Sequence, residues 1–279
     1  MHPSNLKKWT ADSFAYEWQR FRVPPQDMAD NFWGYFQFFS PEFFRGQRVL
    51  EAGSGMGRHT YFLAQFAGEV VAIDLGGAIR VTAANTATQR NVRLVQADID
   101  HLPFQPESFD FICSIGALHH LPDPKAGFHR LVHCLRPGGT LHVYLYWALE
   151  DAAAWKRSTL ALITTLRRLT VPLPHPLLER LAWLVAVVGY LSFALPYRYL
   201  SPWPATDRLV KQFPLQRYAK DGFRVCYNDQ FDRLSAPLEH RFTRNHVLEL
   251  FALEGLVDVH IQPHYGWLAC GRKPEKTGK

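Results

Sequence analysis

The chain contains 279 residues, of which 47% are hydrophobic and 20% are charged. That balance is typical of a globular protein and excludes a disordered, collagen-like or coiled-coil chain. The four cysteines are widely separated in sequence and form no CxxC pair, which argues against a disulfide framework or a thiolate zinc site. The net charge of +6 is spread along the sequence, so nucleic acid is not an expected partner.

The first 46 residues are rich in aromatic side chains and break at Pro24-Pro25 into two short helix-like pieces. Two interpretations of this arm stay open: a packing element on the core, or a lid over a site. Its first 21 residues contain no apolar run of the kind that a secretory signal needs, and they carry acidic residues. We therefore expect a cytoplasmic protein.

Residues 47–147 alternate strand-like and helix-like patterns. The strand-like runs are QRVLEAG, EVVAID, VRLVQAD, SFDFICS and TLHVYLYW, the last after a turn predicted at RPGG; the helical runs are GRHTYFLAQFAG, Gly76–Arg90 and PKAGFHRLVHCL. This rhythm predicts an α/β fold with a doubly wound, mostly parallel sheet. Residues 241–279 add a capped helix, TRNHVLELFALEG, and two further strands.

A glycine-rich loop, EAGSGMG, directly follows the first predicted strand. Glycines at this point let a ligand approach the backbone, and the N-terminus of the next helix offers free N–H groups. The dinucleotide fingerprint GxGxxG would need a third glycine at position 58, where the chain has Arg58. The third glycine is Gly57 instead, which argues against NAD as the ligand.

Three acidic residues end three neighbouring strands of the predicted sheet. Asp74 is placed to bind a ribose diol, Asp98 to accept from an adenine amino group, and Glu51 to lie near a ligand ammonium. Open α/β sheets bind their ligands at this edge. One such acid alone would be a solvated strand end, but three beside a glycine loop predict a ligand with an ammonium, a ribose and an adenine.

With these segments the sequence resembles the class I S-adenosylmethionine-dependent methyltransferases, in particular the small-molecule branch called methyltransferase type 11 or UbiE-like. The segments that carry the resemblance are EAGSGMG, VVAID, ADIDHLPF, FDFICSIGALHHLPDP and LRPGGTL. The resemblance implies a Rossmann-like methyltransferase fold with seven strands, of which the last, Tyr265–Arg272, is antiparallel. It implies S-adenosyl-L-methionine as cofactor and S-adenosyl-L-homocysteine as product. The cofactor site would comprise Glu51, Gly53, Ser54, Gly55, Asp74, Leu75, Asp98, Ile99 and Ser114.

Methyl transfer from a sulfonium requires the protein mainly to align the acceptor and to remove its proton. His119, or less favourably His120, would face the sulfonium from the segment LHHLPDP, and the ordinary pKa of histidine suits a general base at neutral pH. The alternative is that these histidines only hold the loop or line the pocket. Secondary pocket candidates are Tyr144, Tyr146, Asn228 and Asp229. For the tyrosines a core position, and for the Asn-Asp pair a turn, is the simpler interpretation. No clustered carboxylates indicate a metal site.

Residues 148–240 interrupt the rhythm with long helical patterns and two proline clusters. We expect them to form a helical cap, inserted between strands 5 and 6, that controls access to the sulfonium together with the N-terminal arm. They contain an uncharged run, Leu181–Tyr197, close to the length that spans a bilayer. Strands of one sheet precede and follow this run, so a single span would separate them. Three interpretations of the run remain: a core helix, a lid or an in-plane membrane helix. The core helix is the simplest of them.

The sequence thus predicts four segments: an arm (1–46), a cofactor-binding core (47–147), a cap (148–240) and a segment that completes the core (241–279). An aromatic arm and an apolar cap favour an enzyme that methylates a small, largely apolar or aromatic acceptor, most simply at oxygen. Two alternatives stay open: a protein that binds the cofactor without methyl transfer, and an RNA or protein methyltransferase. No transmembrane span is expected, while peripheral membrane contact and the oligomeric state are left open.

Overall fold

The computed structural model describes residues 3–21 and 23–276. The outer ends of the predicted arm and of the C-terminal segment, residues 1, 2 and 277–279, lie outside this part. The chain divides into two compact units, which we call the sheet unit (Met1–Arg157 with Leu238–Lys279) and the helical unit (Ser158–Pro237).

The described residues of the sheet unit form one seven-stranded sheet. Its strands are β1 (Arg48–Ala52), β2 (Glu69–Asp74), β3 (Val92–Gln96), β4 (Phe109–Ile115), β5 (Leu135–Leu145), β6 (Val257–Pro263) and β7 (Trp267–Arg272). They lie in the order β3-β2-β1-β4-β5-β7-β6; the pairs among β1 to β5 are parallel, and β7 is antiparallel to both of its neighbours. The doubly wound, mostly parallel sheet with an antiparallel last strand is therefore confirmed.

The helices follow the predicted alternation in the sheet unit and fill the helical unit. They are α1 (Pro3–Arg20), α2 (Ala29–Tyr35), α3 (Arg58–Phe66), α4 (Ile79–Asn85), α5 (Pro124–Cys134), α6 (Ala154–Thr170), α7 (His175–Gly189), α8 (Leu195–Leu200), α9 (Pro204–Val210), α10 (Tyr218–Ser235) and α11 (Arg244–Leu253). Single turns of 3₁₀ helix lie at Pro25–Met28, Pro41–Phe44 and Leu118–His120.

Three local predictions are wrong, each for a tertiary reason. The helix predicted over Gly76–Arg90 is only α4, because Gly76 donates its N–H to the side chain of Asp74 and so belongs to the strand end. The turn predicted at RPGG lies inside β5, since Leu135 already pairs with β4. The pair Asn228-Asp229 lies inside α10 rather than in a turn, where Asp229 accepts hydrogen bonds from the side chains of Arg217 and Tyr218.

Most of the aromatic arm after Pro25 is part of the core. Phe32, Phe36 and Phe44 are almost completely buried, and they pack with Phe62 of α3 and Phe111 of β4 in one hydrophobic cluster. Phe32 stacks on Phe36 with ring centroids 4.4 Å apart, and Phe44 meets Phe111 edge to face at 5.2 Å. The packing interpretation therefore fits residues 29–44, which cover one face of the sheet.

The helical unit packs small side chains of α7 against larger ones of α10, where Tyr218 and Phe231 are fully buried. Leu178, Ala182 and Ala186, spaced by one helical turn, are the buried positions of α7, and Ala186 clusters with Tyr218 and Cys226 of α10. A π-helical turn, Tyr190–Ala194, joins α7 to α8. The resulting stretch, His175–Leu200, is the one helix of the described residues that is long and apolar enough to cross a membrane, and its most apolar window is only 22% buried.

Candidate cofactor and acceptor site

The glycine-rich loop joins β1 to α3 in a backbone conformation that favours glycine. Gly53 has a φ of 89° and Gly57 a φ of 79°, both in the left-handed region. A Cβ on Gly53 would lie 2.3 Å from the Cβ of Ala117, and one on Gly57 would lie 2.7 Å from Cγ2 of Thr82. The register GxGxG has a local cause, because Gly57 is the residue that turns the chain into α3.

Side chains of α4 fix this loop in place. The hydroxyl of Thr82 donates to the carbonyl of Gly55 at 2.9 Å, and Nδ2 of Asn85 donates to the carbonyl of Met56 at 2.8 Å. The buried hydroxyl of Ser54 lies 3.2 Å from that of Thr82. The side chain of Ser54, a predicted cofactor residue, thus fastens the loop to α4.

Asp74 lies at the end of β2, next to the loop. Each of its carboxylate oxygens accepts one backbone N–H, from Gly55 at 3.0 Å and from Gly76 at 2.9 Å. Burial raises the pKa of Asp74, and the two backbone hydrogen bonds act in the opposite direction. A carboxylate oxygen has lone pairs for more than one donor, so this group is oriented by the loop and can still accept from ligand hydroxyls.

Glu51 is completely buried at the end of β1. Burial raises its pKa to about 8, while a hydrogen bond from the hydroxyl of Thr60 acts against that rise. His59 Nδ1 lies 3.6 Å from Oε1 of Glu51, and burial holds the pKa of this histidine well below its ordinary value. Both groups are therefore neutral near pH 7. A ligand ammonium beside Glu51 would favour its ionised form and so gain a charged partner.

Asp98 follows β3 and is held by a lysine of the N-terminal helix. The ammonium of Lys7 forms ion pairs with Asp98 and with Asp100. Burial alone would raise the pKa of Asp98, but the hydrogen bond and charge of Lys7 outweigh it and hold that pKa below its usual value. The acid predicted to accept from an adenine amino group therefore already faces an ammonium of the chain itself.

Helix α1 lies along the glycine loop and the end of β2. A Cβ on Gly55 would be 2.9 Å from Nε1 of Trp18, and a Cβ on Gly76 would be 2.8 Å from the carbonyl oxygen of Ala11. The guanidinium of Arg58 lies 5.7 Å from the ring centre of Trp18. The first half of the arm thus covers the ligand-binding edge of the sheet, whereas its second half is core.

The three remaining predicted cofactor residues have different surroundings. Leu75 is 37% exposed at the rim of the strand edge. Ile99 is buried in the hydrophobic core. Ser114 is fully buried, and its hydroxyl donates to the carbonyl of Ala52 at 2.9 Å, which ties β4 to β1. Of the three, Leu75 is the one whose side chain reaches the surface.

His119 is completely buried at the end of β4. Its ring stacks on Tyr146 with centroids 3.8 Å apart. Burial holds its pKa well below the ordinary value, and the charges of His120 and Arg241 act in the same direction. Neither ring nitrogen of His119 has a hydrogen-bond partner of good geometry among the described residues, although the backbone of Tyr144 lies near enough to oppose the drop in pKa. The ring is a neutral imidazole with an available lone pair.

His120 is oriented by hydrogen bonding. Its Nδ1 donates to the carbonyl of Leu238, which fixes the tautomer and leaves Nε2 as the acceptor nitrogen. The ring of Phe14 from α1 meets it edge to face at 4.7 Å. Next to this contact the backbone N–H of His240 donates to the carbonyl of His119 at 2.8 Å. The segment that leaves the helical unit is therefore bound to both candidate histidines.

A continuous row of rings, which we call the aromatic row, connects the two halves of the site. Tyr35 of α2 lies 5.5 Å from His59 and 5.0 Å from Tyr144, measured between ring centroids. Tyr144 lies 5.9 Å from Tyr146, on which His119 stacks. The row begins beside Glu51 and ends at the candidate base, so both sites lie on one edge of the sheet.

Sequence reasoning missed four residues of this edge: Lys7, Trp18, Tyr35 and Arg58. The high density of aromatic residues in the arm was a signal for Trp18 and Tyr35, but it did not predict which rings lie at the site. Lys7 carries no local signal, because its partners lie more than 90 positions away in the sequence. Among the described residues no group of three or more His, Cys, Asp or Glu is placed to hold a metal ion.

Comparison with known proteins identifies the class. Residues 50–143 match the family model described as a methyltransferase domain. This range contains the glycine loop, Asp74 and the two histidines. About a third of the chain thus matches a methyltransferase domain, which agrees with the resemblance to the class I S-adenosylmethionine-dependent methyltransferases.

Three relatives are similar to this chain over roughly that range. A ubiquinone biosynthesis O-methyltransferase of Xylella fastidiosa is 37% identical over 101 residues, which are 35% of this chain and 41% of the relative. A demethylmenaquinone methyltransferase of Clavibacter sepedonicus is 33% identical over 97 residues, 34% and 40% of the two chains. A sterol 24-C-methyltransferase of Schizosaccharomyces pombe is 30% identical over 111 residues, 38% and 29%. The chain thus matches less than half the length of each relative.

Two solved structures share the fold over most of this chain. One is a methyltransferase solved in complex with the Haloferax volcanii Trm112 methyltransferase activator, with a TM-score of 0.53 at 14% identity, covering 97% of this chain and all of that one. The other is human N-acetylserotonin methyltransferase in complex with S-adenosylmethionine, with a TM-score of 0.52 at 12% identity, covering 92% and 56%. These likenesses confirm the Rossmann-like fold.

The cofactor of this class is S-adenosylmethionine, and the residues of the strand edge fit it. Gly116 after β4 has no heavy atom within 4 Å of where its Cβ would be, so the backbone is open to approach there, while Ala117 and Trp18 lie against the loop at Gly53 and Gly55. Asp74 is oriented to accept from a diol, and Glu51 is a buried acid on which the charge of Arg58 acts too weakly to offset burial. The donor and acceptor set therefore matches the ribose and the ammonium of this cofactor.

Proposed function

We propose that the protein transfers a methyl group from S-adenosylmethionine to a hydroxyl oxygen of a small, largely apolar acceptor. The observation that carries this proposal is the aromatic row, which leads from the cofactor edge to the buried imidazole of His119, whose ring nitrogens have no hydrogen-bond partner of good geometry among the described residues. Rings and tyrosine hydroxyls along one path suit an acceptor with an apolar body and a few polar groups.

The relatives support the same acceptor class. By their names, one acts in ubiquinone biosynthesis, one on demethylmenaquinone and one on a sterol. Quinones and sterols of this kind are small and mostly apolar molecules. Their similarity covers only 34% to 38% of this chain, so it supports the cofactor and the chemistry more directly than the acceptor.

Residues at the strand edge would hold the cofactor in a fixed orientation. Asp74 accepts from the ribose hydroxyls, and Glu51, ionised by the arriving ammonium, fixes the amino-acid end. When bound, the cofactor supplies an electron-poor methyl group whose sulfur keeps the bonding electron pair as the new oxygen–carbon bond forms. Holding the acceptor oxygen in line with that bond is the main task of the protein.

His119 would remove the proton of the acceptor hydroxyl. A pKa well below 6.5 makes the imidazole a weak base, but it also ensures that the ring is unprotonated at neutral pH. The hydroxyl becomes strongly acidic as its oxygen gains the methyl group, so a weak base suffices at that moment. The proton then leaves His119 for solvent, because burial disfavours the charged ring.

Binding of S-adenosylhomocysteine tests the cofactor part by calorimetry. We expect Asp74→Asn to weaken binding by about ten-fold or more, because a hydrogen bond to a charged group is lost. Asp258→Asn is the matched control. Asp258 lies on β6 and forms an exposed ion pair with Arg272 of β7, so this variant should bind as the unaltered protein does. Equal affinity of the Asp74 and Asp258 variants would refute the cofactor assignment.

Transfer of a labelled methyl group from S-adenosylmethionine into a lipid extract or a set of small phenols tests the reaction. We expect His119→Asn to lower kcat by about a hundred-fold at unchanged S-adenosylhomocysteine affinity, because general base catalysis is lost. His120→Asn is the matched control with a smaller effect. Label in protein or RNA, or tight cofactor binding with no label in any fraction, would contradict the proposal.

A further inference from the structure

The helical unit turns its large apolar side chains outward. On α7 and the π-helical turn that follows it, the row Leu177, Leu184, Val188 and Leu191, at intervals of seven, four and three residues, is exposed, with Leu184 at 53% and Leu191 at 58%. The buried row on the opposite side of α7 consists of Leu178, Ala182 and Ala186. A helix that packs largely by alanines and exposes most of its large apolar side chains has the opposite arrangement to a core helix.

A second helix of the unit presents a similar row. Leu162, Leu166 and Leu169 of α6 lie one turn apart and are exposed, Leu169 by 71%. Three more exposed rings, Trp183, Tyr199 and Trp203, belong to the same unit. Exposed apolar surface of this extent marks an interaction site, and Trp and Tyr are the side chains that favour a boundary between apolar and aqueous phases.

The charges of the unit identify the partner. Ser158–Pro237 contains ten Lys and Arg and five Asp and Glu, a net charge of +5 out of the +6 of the whole chain, so the excess charge is concentrated here and not spread along the sequence as expected. Arg180 is exposed between Leu177 and Leu184, Arg198 is exposed seven residues after Leu191, and Arg168 is exposed beside Leu169. The acid of α7, Glu179, accepts a hydrogen bond from the hydroxyl of Tyr227 within the unit. A basic rim around an apolar face complements an anionic lipid surface.

The topology determines how the unit meets the lipid. His175–Leu200 is long enough to span a bilayer, but β5 precedes it and β7 follows it, and the two strands are hydrogen-bonded neighbours in one sheet. A single span would place them on opposite sides of the membrane. The later helix α10 contains six charged residues, so it offers no return span.

We propose that the helical unit docks on an anionic bilayer, with α6, α7 and α8 lying in the plane of the membrane surface. The leucine rows enter the boundary between headgroups and acyl chains, and the arginines near them remain with the phosphates. This surface is independent of the proposed acceptor, because it rests on side chains of the helical unit alone.

The test uses the full chain and two kinds of vesicle, phosphatidylcholine alone and phosphatidylcholine mixed with phosphatidylglycerol. We expect the protein to sediment with the anionic vesicles and to be released by high salt. Leu184→Glu combined with Leu191→Glu should weaken vesicle binding by about ten-fold or more, because two apolar side chains no longer insert. Leu253→Glu, an exposed leucine of α11 in the sheet unit, is the matched control and should bind as the unaltered protein does.

A charge variant guards against loss of folding. Arg180→Gln with Arg198→Gln leaves the apolar face intact and should reduce binding to anionic vesicles by about three-fold or more, with little change on phosphatidylcholine. S-adenosylhomocysteine binding by the sheet unit should persist in every variant. Three results would overturn the proposal: equal vesicle binding by the glutamate variant, a dimer in solution that the glutamate variant abolishes without any vesicle binding, or resistance to alkaline extraction, which indicates a span.

Discussion

The sheet unit and the helical unit differ in which of their apolar side chains are buried. In the sheet unit Phe36, Phe44 and Phe111 are completely buried, and polar atoms at the strand edge are fixed by hydrogen bonds. On α7 of the helical unit Ala182 and Ala186 are buried while Trp183 and Leu184 are exposed, although Tyr218 and Phe231 of α10 are buried. The first unit buries its largest aromatic side chains, whereas the second leaves several of its large apolar side chains exposed.

The largest effect expected from this contrast is on stability. Phe111→Ala removes a fully buried ring that contacts Phe44 and should lower the free energy of unfolding by about 3–5 kcal/mol. Leu169→Ala, on the exposed row of α6, should change it by no more than about 0.5 kcal/mol. Urea unfolding followed by circular dichroism measures both. Similar losses for the two variants would show that the rows of the helical unit are packed in solution.

A pH effect distinguishes the buried acid of the sheet unit. The pKa of Glu51 is about 8 in the folded chain and near 4.5 in the unfolded one, so folding binds a proton between these values. Its contribution to stability is present below pH 4.5 and is lost as the pH rises toward 8. Glu51→Gln removes this loss and should gain about 1–3 kcal/mol over the unaltered protein at pH 8.5.

The gain should shrink to a small remainder at pH 4.5, where the carboxyl group is protonated in the folded chain and half protonated in the unfolded one. His59 and His119, whose pKa values burial lowers, act in the opposite direction and reduce stability as the pH falls below about 6.5. Both proteins share that loss, so the difference between them isolates Glu51. A gain that is constant with pH would disprove the assigned protonation.

Helix α11 of the sheet unit and helix α7 of the helical unit begin differently. Thr243 begins α11 and accepts a hydrogen bond from the N–H of His246, whereas α7 follows Pro174 and has no side-chain cap. Thr243→Ala should cost about 1 kcal/mol of unfolding free energy. Thr164→Ala, within the exposed face of α6, should cost less than about 0.5 kcal/mol. Equal costs would mean that the cap contributes no stability.

The smallest effect concerns Lys7, whose ammonium pairs with Asp98 and Asp100. Lys7→Met frees the carboxylate expected to accept from the adenine, and it should tighten S-adenosylhomocysteine binding by about two- to five-fold at low salt. High salt should shrink the gain, since it screens the pair. Weaker binding in calorimetry would show instead that Lys7 contributes to the ligand site.

Sequence predicted the sheet unit well because its signals are local. The loop glycines, the acids at strand ends and the period of the strands each reflect backbone geometry within a few residues, and the structure confirms the strands that they predicted. Thr243 was equally readable as a cap. The spacing GxGxG was an argument against a dinucleotide site, and the left-handed φ of Gly57 agrees with that spacing.

The remainder depended on contacts that are distant in sequence. Lys7 meets Asp98 only after α1 lies along the sheet edge, and Asp229 stays helical because Arg217 and Tyr218 bind it. Helical periodicity in residues 158–237 predicted helices but not which face is outside, since apolar residues occur on both. The expectation of a core helix in Leu181–Tyr197 fails for that reason, because half of its large side chains are exposed rather than buried.

The chain leaves the sheet before the helical unit and returns to it after the unit at one hydrogen-bonded point. Trp147 and Phe242 form a bridge, the N–H of Ala148 donates to the carbonyl of Phe242, and the N–H of Phe242 donates to the carbonyl of Tyr146. Leu238 and His240, shortly before Phe242, hold His120 and His119 and so belong to the fixed part of the site. We expect that the helical unit before them, Ser158–Pro237, can be lengthened, shortened or exchanged without shifting the pairing of β5 with β7. A helical unit grafted here from a relative with another acceptor would leave the cofactor edge intact, which makes this connection an insertion site for evolution and for protein engineering alike.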